Sequence, residues 1–128
     1  MTGVQTCVSD LAFRHIRMGG LATKVTGMSK ISVLAKLVAI EGKREELAEA
    51  LNVLIDNAGT EPGTLHYTLH ADNGDTNVLW MYEIYENSDA LAAHSGSSVM
   101  KSSVPGMMGL LAGRPELIMC TPLRGTGL

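Results

Sequence analysis

Three of the four histidines and one acidic-aromatic run carry the side chains best suited to chemistry. His66 and His70 lie in the segment TLHYTLHA at 64–71, and His94 follows in ALAAHS. Between them stands Tyr82-Glu83-Ile84-Tyr85-Glu86. Imidazole titrates near neutrality, so His70 or His94 is the natural general base. Tyr85 can donate a hydrogen bond or stack on an aromatic ring. Glu83 can orient a histidine or ionise a hydroxyl on a bound molecule. Each residue also has a plain structural reading. His66 and His70 alternate with apolar residues, which equally describes a solvated strand face. His94 also fits a hydrogen-bonded structural histidine, and Glu83 a partner for backbone or arginine. No metal site is expected, because the four-residue offset of His66 and His70 on a strand is too long for an obvious shared ligand pair. No cofactor motif is present either: there is no glycine-rich phosphate loop and no dinucleotide fingerprint.

These residues need a scaffold, and the chain's 128 residues suffice for one domain. Hydrophobic content of 45% with 18% charged residues describes a globular chain. The formal net charge of −3 argues against nucleic acid or an anionic membrane as the main partner. Cys7 and Cys120 stand at opposite ends in no metal or redox spacing, so a reducing cytoplasm is the expected setting. The opening residues 1–27 show no sustained period, and Thr2 to Cys7 resembles a translated sequencing adapter. They are expected to be a non-native or disordered leader, with the domain at 28–128.

Residues 31–40 read as a strand with two apolar faces. A helix over about 43–58 places Leu47, Leu51, Leu54 and Ala58 on one stripe. Thr60-Glu61-Pro62-Gly63 is a turn. Residues 64–71 alternate as a strand, with Leu65, Tyr67 and Leu69 opposite His66, Thr68 and His70. Asp72-Asn73-Gly74-Asp75 is a hairpin signal leading to a strand over about 78–85. A second helix starts near Ser88 as N-cap, breaks around 95–98, resumes at Val99 and stops at Pro105. Gly106 to Ala112 is a short apolar helix or loop, and residues 116–121 form a last strand. The order strand, helix, strand, strand, helix, strand predicts an α+β, ferredoxin-like βαββαβ fold. Its helices cover one face of a four-stranded antiparallel sheet. The other face is expected to meet a second copy in a homodimer.

From Ile31 to about Leu123 the chain resembles the antibiotic biosynthesis monooxygenase domain family. The resemblance rests on the element order, on Glu61-Pro62-Gly63 opening the second strand, and on Tyr82 to Glu86 followed by Ala90 and His94. The family usually has Trp at the place of Tyr85, and often a histidine followed by Phe at Val99 and Met100. The resemblance implies a dimeric α/β barrel and a small aromatic substrate oxidised by O2 without a cofactor. It also implies a pocket at His70, Met81, Tyr85 and Leu91, where a polar Asn has become Met81 and a Tyr has become Leu91. By the same carry-over His66, Thr68, His70, Met81, Glu83 and Tyr85 face the helices and the pocket, and Trp80, Tyr82 and Ile84 face the dimer partner. Haem degradation is set aside, because the Asn, Trp and His of that branch fall at Ala35, His94 and Val104. The expected catalytic residues are therefore His70, His94 and Tyr85, with Met81, Glu83, Leu91 and His66 around the substrate. The alternatives are an isomerase or lyase using the same pocket, and a binding dimer without turnover.

Overall fold

The computed structural model describes residues 29–128. The expected leader at 1–27, and Cys7 with it, lie outside the described residues. The elements are β1 (Ile31–Val38), α1 (Arg44–Ala58), β2 (Thr64–Ala71), β3 (Val78–Tyr85), α2 (Ser88–Ser95), α3 (Ser98–Met108) and β4 (Glu116–Cys120). The strands form an antiparallel sheet in the order β2-β3-β1-β4, the ferredoxin-like arrangement. The two most apolar strands, β1 and β3, take the centre, where both strand edges are paired.

Ile31, Val33, Ala35 and Leu37 of β1 turn toward the helices and are at most 7% exposed. Leu47, Leu51 and Leu54 of α1 pack onto that face and are also buried. Their four- and three-residue spacing puts them on one helical stripe. Burying each such leucine contributes roughly 1.5–3 kcal/mol. Gly42, with φ of 78°, supplies the left-handed turn from β1 into α1. Arg44 at the start of α1 donates to the carbonyls of Asp72 and Asp75 at 3.0 Å, tying the helix to the β2–β3 connection.

That connection forms the expected hairpin by a different device. Among the described residues no non-glycine has positive φ, and Gly74 has none either. Instead Asp72 Oδ1 accepts from the backbone N–H groups of Gly74 and Asp75, and its Oδ2 accepts from Trp80 Nε1 at 2.8 Å. The Trp80 bond, with the backbone bonds behind it, holds the Asp72 carboxyl below its ordinary pKa.

Helix α2 starts one residue earlier than the sequence suggests. Asn87, not Ser88, is the N-cap, and its side chain accepts from the Ala90 N–H at 2.9 Å. Ser88 is instead the first helical residue and is buried. Helix α3 does not stop at Pro105 but runs through it to Met108. Pro105 and Gly106 are exposed, so water can serve the Lys101 carbonyl that lacks an N–H partner.

Gly63 sets how closely α2 approaches the start of β2. A Cβ there would lie 2.4 Å from the Ala90 Cβ. Gly63→Ala is expected to lose about 1–3 kcal/mol of stability through overpacking, measured by urea denaturation. The neighbouring Gly59→Ala faces only a 3.3 Å approach to a backbone oxygen and serves as the comparison.

One irregularity decides which side chains reach the helices. Thr64 pairs with Tyr85 and His66 with Ile84, so Leu65 is an extra residue in β2. Such a bulge flips the alternation of every residue after it. Beyond it Tyr67 pairs with Glu83 and Leu69 with Met81, on the helix side. His66, Thr68 and His70 pair with Ile84, Tyr82 and Trp80, on the opposite face. No described helix covers that face, which presents Leu34, Tyr82 and Ile118 in one cross-strand row. Tyr82 is 36% and Ile118 48% exposed. The C-terminal segment returns to it, where His66 Nε2 donates to the Gly127 carbonyl at 3.1 Å.

Candidate active site

A partly open cavity of about 110 Å³ lies between the helix side of the sheet and the three helices. Its walls are mostly apolar, with Val33, Ala35, Leu51, Met81 and Leu91 among them. The chemistry is gathered at one end, where His94 and Glu83 enter the wall beside Tyr67.

His94 sits in the last turn of α2 and is 4% exposed. Its ring lies between two tyrosines, with centroids 4.9 Å from Tyr67 and 5.4 Å from Tyr85. Its Nδ1 is 2.8 Å from Glu61 Oε1, across from the turn before β2. Glu61 Oε1 also accepts from Thr64 Oγ1 at 2.7 Å, and its Oε2 from Asn57 Nδ2 at 3.1 Å. Tyr85, wholly buried on β3, donates its hydroxyl to Glu83 Oε1.

Glu83 is the unusual group. Burial pushes its carboxyl from 4.5 up to about 7, against a smaller downward pull from the Tyr85 hydrogen bond. At neutral pH it is therefore poised between its acid and its base. Burial, with Glu83 close by, raises Tyr67 and Tyr85 far above the ordinary phenol range, so both stay protonated. The arrangement can exchange protons at His94 and donate a hydrogen bond from neutral Glu83, in a cavity whose walls are mostly apolar.

Of the residues expected at the site, His94, Glu83, Met81 and Leu91 lie in the cavity wall, while Tyr85 is buried behind it, bonded to Glu83. Two assignments need correction: His66 and His70 do not face the cavity. The bulge at Leu65 turns both to the far side of the sheet, where both are exposed. A catalytic place for His70 and a substrate contact for His66 in this cavity therefore fail on geometry. Two participants were missed. Tyr67 is one, although its alternation with His66 was the available signal. Glu61 is the other, noticed only as part of Glu61-Pro62-Gly63. Among the described residues no group of three His, Cys, Asp or Glu side chains is placed to hold a metal ion.

A family model described as antibiotic biosynthesis monooxygenase matches residues 30–105. No curated protein matches the chain. Solved structures do. A Caulobacter crescentus protein, provisionally named an antibiotic biosynthesis monooxygenase, is 25% identical with a TM-score of 0.73, covering 79% of this chain and 96% of that one. A Pseudomonas aeruginosa protein is 24% identical with a TM-score of 0.70, covering 77% of this chain and 98% of its own. A Mycobacterium tuberculosis protein is 23% identical with a TM-score of 0.71, covering 77% and 99%. The latter two speak for the fold alone.

Proposed function

Since the chain belongs to the antibiotic biosynthesis monooxygenase family, matched over residues 30–105, we propose that it oxygenates an electron-rich, quinol-like aromatic compound with O2. The observation that carries this reading is a histidine and a near-neutral carboxyl set together in the wall of an apolar cavity. Dioxygen is a triplet and reacts slowly with closed-shell molecules, so the substrate must first become a good one-electron donor. Deprotonation does that for a quinol or an anthrone, and no cofactor is then required.

For an anthrone-type CH2 group the steps balance as follows. His94 takes one proton, and the carbanion passes one electron to O2. The substrate radical and superoxide combine, forming the carbon–oxygen bond of a peroxide, which receives the proton from His94. His94 then removes the remaining C–H proton, the O–O bond breaks, and hydroxide leaves with that proton as water. The sum is CH2 + O2 → C=O + H2O. Neutral Glu83 donates to the substrate oxygen that carries the charge. Met81 and Leu91 hold the ring and exclude water. An engineered apolar cavity of about 150 Å³ holds benzene; this one, at about 110 Å³, is smaller and partly open, so it takes at most one ring and leaves the rest of a larger molecule at its mouth.

Oxygen-electrode assays with anthrone and 1,4-naphthohydroquinone, with chelator present and flavin absent, test the reading. One O2 consumed per product is expected; no enzyme-dependent uptake with either compound or related quinols overturns it. The same base and acid also suit a proton shift in an enolisable compound. Deuterium exchange into such a substrate without oxygen uptake would favour that second reading.

We also propose that the uncovered sheet face joins a second copy. The row Leu34, Tyr82 and Ile118 is apolar, and its exposure supports that pairing. Sedimentation at nanomolar concentration is expected to show a dimer; a folded monomer there removes the proposal. Among the described residues no helix is long and apolar enough to cross a membrane.

A further inference from the structure

We infer that Glu61 is the positioning residue of this site: its carboxylate fixes His94 with the ring proton on Nδ1, leaving the Nε2 lone pair to face the cavity as the base. The reaction assigned to that base rests on the reading above; the tautomer does not.

The geometry is over-determined. Glu61 receives hydrogen bonds from His94 on α2, Thr64 on β2 and Asn57 on α1, so three elements hold it still. An ionised carboxylate only accepts, so His94 Nδ1 must be the donor. A neutral imidazole has one N–H, which leaves Nε2 unprotonated. No described protein atom is bonded to Nε2, and no described side-chain nitrogen is sealed away without a partner. Since His94 is buried and lines the cavity, Nε2 is open to the cavity. The titratable groups around the ring are Glu61 from the turn, Tyr67 from β2, and Glu83 and Tyr85 from β3. Among the described residues no Lys or Arg forms an ion pair with Glu61. Its charge is therefore free to stabilise the imidazolium that forms when His94 takes a proton.

Glutamate also explains the spacing in chain. Glu61 lies two residues before Gly63, whose missing Cβ lets α2 close on β2. The close approach brings His94 within reach of a carboxylate that is 33 residues away in sequence.

The test is nitrogen NMR of the protein labelled with ¹⁵N-histidine, on the alkaline side of histidine titration. His94 resonances are identified by their loss in His94→Gln. The native protein is expected to carry its proton on Nδ1. Glu61→Gln keeps an acceptor oxygen and should keep that tautomer; Glu61→Ala should move the proton to Nε2. Adding 1-naphthol should shift Nε2 and leave Nδ1 in place. A native proton on Nε2 overturns the inference even if Glu61→Ala does not fold. So does a Glu61→Ala spectrum unchanged at His94, or a naphthol response at Nδ1 alone. In oxygen uptake, Glu61→Ala should lower kcat about 10–100-fold with KM less affected, by analogy with the loss of an orienting partner from a metal-bound histidine. An unchanged kcat in an active enzyme overturns the positioning role. Absence of turnover in the native protein instead removes the oxygenase reading, while the NMR result still decides the role of Glu61.

Discussion

Replacing His94 by Gln is expected to lower kcat for oxygen-dependent turnover by about 10²–10⁴-fold, the usual contribution of a positioned general base. Gln fills a similar space, so packing between Tyr67 and Tyr85 survives and circular dichroism should be unchanged. KM should move less than kcat, because the apolar walls that hold the ring remain. His70→Gln is the informative control. On the family resemblance alone it should be as damaging; on the observed register it should leave kcat within about twofold, since exposed positions away from a site have small effects. Equal losses in both variants would mean that the bulge at Leu65 is absent from the working enzyme.

Glu83→Gln is expected to abolish a pH dependence of both stability and rate. Burial raises the Glu83 carboxyl from 4.5 to about 7. Between those values the folded protein holds a proton that the unfolded chain has released. Stability therefore falls as pH rises through that window, is fully present below it and is lost above about 7. At 1.36 kcal/mol per unit the loss amounts to about 3 kcal/mol. The amide of Gln cannot ionise and still accepts from Tyr85, so Glu83→Gln should be the more stable protein above pH 7. Urea denaturation across this range should show a slope in the native protein that the variant lacks. The rate should follow the same group. Neutral Glu83 donates to the substrate oxyanion, whereas ionised Glu83 repels it, so activity should fall on the alkaline side of about 7. The amide donor of Gln should keep its activity there. A native stability curve flat from pH 5 to 8 would count against a buried, titrating Glu83.

Much of this fold was readable from local pattern. The leucine stripe of α1 and the two apolar faces of β1 and β3 follow from periods of 3.6 and 2, whereas the grouping of Glu83, Tyr85 and His94 comes from the family resemblance. What failed to read was relational. Nothing in TLHYTLHA announces that Leu65 will be the unpaired residue, because a bulge is defined by the partner strand. That single insertion exchanges two histidines for Tyr67 in the cavity. Glu61 escaped notice because its partner His94 is distant in the chain, and turn chemistry alone accounted for Pro62 and Gly63. Pro105 misled in the opposite way: the rule against proline weakens where the freed carbonyl stands at an exposed surface.

Trp80 is the chain's single tryptophan, and it sits on the sheet face away from the cavity, with Lys36 over its ring at 5.7 Å. Its intrinsic fluorescence is thus a built-in gauge of what happens on that side. Emission should move to shorter wavelength as copies assemble, and hold steady when a ligand fills the chamber behind the strand. Titrating concentration and ligand in one cuvette would then separate assembly from occupancy without any attached dye.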